Sequence, residues 1–200
     1  MINIQSLKEE FVTMLRSTSR SGVENVIAEL ERLGFFQAPA STAFHLNEPG
    51  GLVLHSLNVC AAARRIYAMA CDMCPMKMSH LSENSVILTA LLHDVCKAEI
   101  YVPTTKRKKL PTGEWVDEPG YTVNYTQLPL GHGEKSVIRL LQLGLQLTDE
   151  EIVAIRWHMS AWDLNFNSAE QKGNISAAGD RFPLFTILQT ADMFASKIME

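Results

Sequence analysis

The chain has 200 residues, 46% of them hydrophobic and 20% charged, with a formal net charge of -4 at pH 7. That composition suits one domain with a substantial core, residues 1–200, and the charge leaves no overall footprint for nucleic acid, so any polyanion contact must come from a local patch. The longest apolar stretches fall far short of a membrane span, and Lys8, Glu9 and Glu10 stand where a signal peptide would be apolar, so a cytoplasmic protein is expected. Cys60, Cys71, Cys74 and Cys96 have no framework spacing and read as reduced thiols.

In chain order, Ser6 with Glu9 and Ser21 with Glu24 each read as a capping box before an apolar periodic run. They predict two N-terminal helices, over about residues 6–17 and 22–33, with Gly34 closing the second. Residues 35–47 are irregular and contain His45. Gly50 and Gly51 then open LVLHSLNVCAAARRIYAMA, a helix that sets Leu52, His55 and Val59 along one inward side. Ser82 is placed to cap the next helix, which runs into the stretch Leu88 to Lys97, LTALLHDVCK.

Between residues 99 and 125 the period changes to that of strands, with Pro111-Thr112-Gly113 at the middle, which predicts a β-hairpin inserted between helices. Helical signals resume at Gly131 and His132. Thr148 with Glu151 forms a further capping box for a helix that carries Ile152, Ile155 and His158. Residues 163–180 are rich in Asn, Ser and Gly and read as a long loop bordering the site and more mobile than the helices around it, either a lid that closes over a substrate or a plain surface excursion. A last helix starts near Pro183 and carries Asp192.

The chemistry concentrates at His93, Asp94 and Lys97. Adjacent residues diverge by about 100° around a helix, so His93 and Asp94 can grip one ion from two sides or bridge two. Lys97 falls three residues on, on the face of Asp94. An isolated His-Asp pair is ordinarily a buried histidine satisfied by its neighbour, and the remaining residues decide. His55, His93, His132 and His158 all take core-side positions, and Asp94 and Asp192 lie in apolar runs where an unpaired carboxylate is costly. One or two divalent transition ions account for both: nitrogen and oxygen donors without a thiolate suit Mn, Fe, Co, Ni or Zn, with Mg also possible.

The ordered succession GGLVLHSLNV, LLHDVCK, LGHGEKS, WHM and QTADMFAS resembles the HD-domain superfamily of metal-dependent phosphohydrolases, from about Phe35 to the C-terminus. The resemblance implies a mainly α-helical bundle whose four-ligand metal site is His55, His93, Asp94 and Asp192. It further implies that His132 and His158 hold the places of the two histidines found in members with two metals, and that Lys97 matches a lysine that often follows the pair. Cys96 stands where glycine is common.

A divalent ion lowers the pKa of bound water toward about 7 and neutralises phosphoryl oxygens, so direct attack by water on phosphorus is the expected reaction, with Asp94 bridging. Lys97 and Lys135 are expected to stabilise phosphoryl charge, and His45 to contact the site or its substrate unless its role is structural. The expected substrate is a nucleotide or other small phosphate ester. Alternatives are a phosphodiesterase or 3′-to-5′ nuclease, for which the basic run Lys106 to Lys109 would contact nucleic acid, a di-iron oxygenase, and a regulatory module that binds a nucleotide without turning it over. His80 reads as a surface residue. Cys71 and Cys74 lack the second pair that a zinc site needs. Nothing in the sequence states an oligomeric state.

Overall fold

The structure, a computed structural model, describes residues 3–125 and 128–200. It is mainly helical, with one two-stranded antiparallel hairpin. The helices are α1 (Ile4–Ser17), α2 (Val23–Arg32), α3 (Gly51–Met73), α4 (Pro75–Met78), α5 (Glu83–Leu92), α6 (Lys97–Ile100), α7 (His132–Gln142), α8 (Asp149–Trp157), α9 (Ala169–Arg181) and α10 (Pro183–Phe194). The strands β1 (Tyr101–Lys109) and β2 (Trp115–Val123) lie between α6 and α7. Among the described residues, no helix is long and apolar enough to cross a membrane.

At the centre is α5, buried at every position from Ser85 to Leu92. A helix apolar all round needs neighbours on every side, and α5 has α3, α1, α8 and α10 packed against it. Ser82 caps it as expected, accepting from the Ser85 amide at 3.1 Å. The first half of α3 is buried against α5, while its last turns reach solvent and end at Met73, so Cys71 and Cys74 sit at a helix end as free thiols. Phe11, Phe35 and Phe36 close the far end of the core with ring centroids 5.2 to 5.6 Å apart.

Two of the three expected capping boxes do not form. Asn3 caps α1, accepting from the Ser6 amide, which places Ser6 inside the helix. Gly22 occupies the N-cap of α2 without a side-chain bond, and Glu24 instead forms a two-pronged pair with Arg16 of α1 at 2.8 Å. A local cap is worth about 1 kcal/mol and yields readily to such tertiary partners. The Thr148–Glu151 box on α8 is complete.

The hairpin forms as expected, in register from Tyr101 opposite Val123 to Lys109 opposite Trp115. The expected loop over residues 163–180 is a correction: a 3-10 turn covers Ser160–Asp163, and α9 begins at Ala169, leaving only 164–167 irregular beyond Ser168. Ser168 caps α9, accepting from the Gln171 amide at 3.2 Å. The helix buries only Ala178, so it has almost no apolar stripe to betray it. Most of residues 163–180 is therefore helix and not the long loop expected.

Candidate metal centre

The backbone brings the predicted donors together at the ends of helices. His55 projects from the second turn of α3. Gly51 makes that entry possible, because a Cβ there would lie 2.1 Å from the Leu46 carbonyl oxygen of the loop that crosses it. His93 is the C-cap of α5 and Asp94 follows it, His132 opens α7, His158 is the C-cap of α8, and Asp192 lies in the last turn of α10. Gly133 lets α7 approach α8, since a Cβ would meet the Arg156 carbonyl oxygen at 2.4 Å. The consequence is a His132 Nε2 to His158 Nε2 distance of 3.3 Å.

His93 and His158 are held by the same device. Each ring turns back on its own helix and donates Nδ1–H to the carbonyl three residues before it, Ala90 at 2.9 Å and Ile155 at 2.7 Å. Those carbonyls belong to the last turns of α5 and α8, where the helix leaves them without a partner. With Nδ1 protonated, Nε2 keeps its lone pair and faces the cluster. The C-terminal ends of two helices also favour positive charge at this place.

Asp94 is the hub. Its Oδ2 faces His93 Nε2 at 3.3 Å, His55 Nε2 at 3.7 Å and Lys97 Nζ at 2.5 Å. Its Oδ1 faces His158 Nε2 at 3.4 Å and His132 Nε2 at 3.5 Å. Asp192 Oδ1 lies 3.2 Å from His55 Nε2. Four groups of donors thus lie within 4.8 Å of one another: His55, His93 and Asp94; His93, His158 and Asp192; Asp94, His132 and His158; and, at the margin, His45, His55 and Glu200. His55, His93, Asp94 and His158 are buried, whereas the side chains of His132 and Asp192 keep 22% and 15% exposure, so the cluster opens to solvent on their side.

Among the described residues, several of these buried atoms find no hydrogen-bond partner. His55 Nε2, His93 Nε2 and Asp94 Oδ1 are so placed, as is His45 Nε2 at the margin. A buried polar atom left unpaired costs about 1–3 kcal/mol, and several converging on one space mark a place built to hold a cation. The donor set fits a divalent transition ion, with oxygens and imidazoles throughout and the thiols elsewhere. Asp94 presents one oxygen to each side of the cluster, which fits two ions as well as one.

The charges are tightly coupled. Burial alone would raise both carboxyls, but Lys97 and His93 hold Asp94 well below the ordinary carboxylate range, and His55 holds Asp192 low as well. Burial opposes a charge on His55, yet Asp192 and Glu200 raise its pKa to about 9. His158 is raised by Asp94 against the same opposition. His132 goes the other way: burial lowers it to about 3.

Of the other expected site residues, His45 is brought to the edge of the cluster, its ring centroid 5.1 Å from that of His55. Lys97 reaches Asp94 directly. Lys135 is buried, 1% exposed, so it offers almost no surface to solvent. Cys96 bonds to α7, its Sγ donating to the His132 carbonyl at 3.2 Å, which ties the His-Asp turn to the next donor helix. His80 is exposed, with Glu150 at 3.5 Å.

Sequence reasoning missed Glu200. A π-helical turn over Ala195–Met199 follows α10 and brings the Glu200 carboxylate, side chain 1% exposed, to His55 Nδ1 at 3.1 and 3.2 Å. The one available signal was its place about two helical turns after Asp192, on a helix already carrying a donor. Compared with family models, curated proteins and solved structures, the chain matches none, so what this cluster can hold and do is read from its own atoms.

Proposed function

We propose that the protein is a metal-dependent phosphohydrolase of the HD-domain type, acting on a nucleotide or another small phosphate ester. The observation that carries this reading is the convergence of unpaired, buried imidazole and carboxylate atoms around Asp94, on one side open to solvent. The order of the donor motifs along the chain supports the same class. His55, His93, Asp94 and Asp192 would hold one ion, and Asp94, His132 and His158 a second. A divalent ion there supplies Lewis acidity toward phosphoryl oxygens and lowers the pKa of water toward about 7.

The chain's own residues do the rest. Asp94 stays ionised at any pH near neutrality because Lys97 lies against it, so it is ready to share its two oxygens. The Nδ1 bonds of His93 and His158 fix which nitrogen faces inward. The exposed edge at His132 and Asp192 is where a phosphoryl group arrives, beside His45.

The hairpin favours a small substrate over a nucleic acid. Two of the four cations in its basic run face carboxylates, Arg107 with Asp117 at 3.7 Å and Lys108 with Glu118 at 3.3 Å, and Lys106 is turned to the Thr42 carbonyl at 2.6 Å. Cations already paired have few counterions to release on binding a polyphosphate strand. The test is a screen of protein loaded separately with Mn, Fe, Co, Ni and Zn against phosphomonoesters, nucleotides, diesters and single-stranded oligonucleotides. Metal-dependent phosphate release from a monoester or nucleotide is expected, lost in Asp94→Asn with its helical content intact. Absence of turnover on every phosphoester with every metal would overturn the proposal.

A further inference from the structure

We infer that Glu200 is a positioning residue for the metal centre: it takes the Nδ1 proton of His55 and thereby aims the Nε2 lone pair at the cluster. The inference rests on the metal-binding reading above and adds a residue to it. His93 and His158 can use carbonyls of their own helix ends. His55 cannot. It stands inside α3, where the carbonyls one turn back accept from the helix's own amides, so its Nδ1–H needs an acceptor from elsewhere in the chain.

Glu200 supplies that acceptor with both oxygens, at 3.1 and 3.2 Å. Its Oε1 also accepts from the Asn58 amide at 3.0 Å, one turn further along α3, so the carboxylate is itself fixed in place. The group is buried on the outer side of the His55 ring, opposite the nitrogen that faces Asp94 and Asp192. His45, His55 and Glu200 could themselves hold an ion, but for His55 to serve it through Nδ1 and the central cluster through Nε2 the ring would have to give up both protons and bridge two ions, and the Asn58 amide would face a bound cation. As a proton acceptor Glu200 meets neither difficulty. A carboxylate acceptor, unlike the carbonyls behind His93 and His158, also makes the inward nitrogen more basic.

The experiment measures binding of Co²⁺ alone by its visible absorbance in wild type, Glu200→Ala and Glu200→Gln, with far-UV circular dichroism as the control for folding. In parallel, the zinc-loaded proteins are examined by ¹⁵N NMR for the His55 Nδ1 proton. Glu200→Ala should weaken cobalt binding about 10- to 100-fold, the usual effect of removing a partner behind a ligating histidine. Glu200→Gln should lose less, because an amide oxygen still accepts the proton but carries no charge. The Nδ1 proton should be protected from exchange in wild type and exchange rapidly in Glu200→Ala.

Wild-type affinity in both variants, or an unchanged Nδ1 proton in Glu200→Ala, overturns the inference. An equal, near-complete loss in both variants also overturns it and makes Glu200 a ligand. If Glu200→Ala does not fold, Glu200→Gln decides, by an intermediate loss against none. Failure of wild type to take up cobalt or zinc would instead refute the metal centre itself.

Discussion

At the scale of single residues, His55 carries two carboxylate contacts, and this sets how the metal-free protein responds to pH. Its pKa is raised to about 9 in the fold, so the protonated ring adds stability that is fully present below its ordinary value of 6.5 and is lost as pH rises through about 9. His132, lowered to about 3 by burial, acts with the opposite sign: the unfolded chain takes its proton first, and stability falls as pH drops below 6.5. The melting temperature of chelator-treated protein should therefore peak near pH 6 to 7 and decline on both sides. Zinc should flatten the alkaline limb, because a ligating His55 has already released the inward proton. A melting temperature that climbs steadily from pH 6.5 to 9 without metal would contradict this assignment. Lys97→Ala should keep the metal yet lower turnover about 10- to 100-fold, since it removes the partner of a ligating carboxylate and not a donor. Several donors stand out because they break an apolar pattern that the core would otherwise complete, His55 among Leu52 and Val59, Asp94 after Leu92 and Asp192 after Ala191, whereas His132, between two glycines, is assigned by the resemblance of the motif order. Glu200 breaks no such pattern, and Lys135 sits in a polar stretch of α7 that gives no hint of its burial.

At the scale of elements, a buried ion pair adds to the apolar packing that holds the N-terminal helices to the donor helices. Arg20, between α1 and α2, makes a two-pronged contact with Glu151 of α8 at 2.7 Å, and Glu151 is wholly buried while also completing the α8 cap. Glu151→Ala leaves a half-buried guanidinium without its partner and removes the cap, so it should cost about 3 kcal/mol or more in urea denaturation. A loss under about 1 kcal/mol would mean that the pair adds nothing beyond an exposed one. Conversely, Gly173 lies within α9 facing open space, and Gly173→Ala should stabilise the protein by about 0.5 to 1 kcal/mol. That substitution also tests the one element that sequence reasoning assigned as a loop. Its glycines and asparagine lower helix propensity, and with Ala178 alone buried the period of 3.6 has nothing to register it. The helices that were legible, α5 and α10 above all, are those whose apolar faces the core requires.

At the scale of the whole molecule, the hairpin is an appendage with a local task. The donors of the candidate metal centre all lie outside it, on the helices or beside their ends. It joins the body where the Asn124 amide meets the Ile100 carbonyl at 2.7 Å, and again where Lys106 reaches the Thr42 carbonyl. Gly120 lies against the stem of Lys106, which fixes that side chain on its way to the loop. Thr42 belongs to the loop that carries the exposed Phe44 and, next to it, His45 at the edge of the cluster. The hairpin thus steadies the loop that carries His45 without building the centre. Replacing residues 103–121 with Asn-Gly, which joins Val102 to its strand partner Thr122 through a two-residue turn, should leave the helical circular dichroism and the cobalt affinity near wild type. On the proposed reaction, the same variant should raise KM several-fold, because the loop bearing His45 has lost its tether. Lys106→Ala should move KM in the same direction by a smaller amount, since it cuts one bond and keeps the strands. Loss of cobalt binding in the shortened protein would show that the hairpin supports the centre itself, and an unchanged KM in both variants would remove it from the substrate entrance.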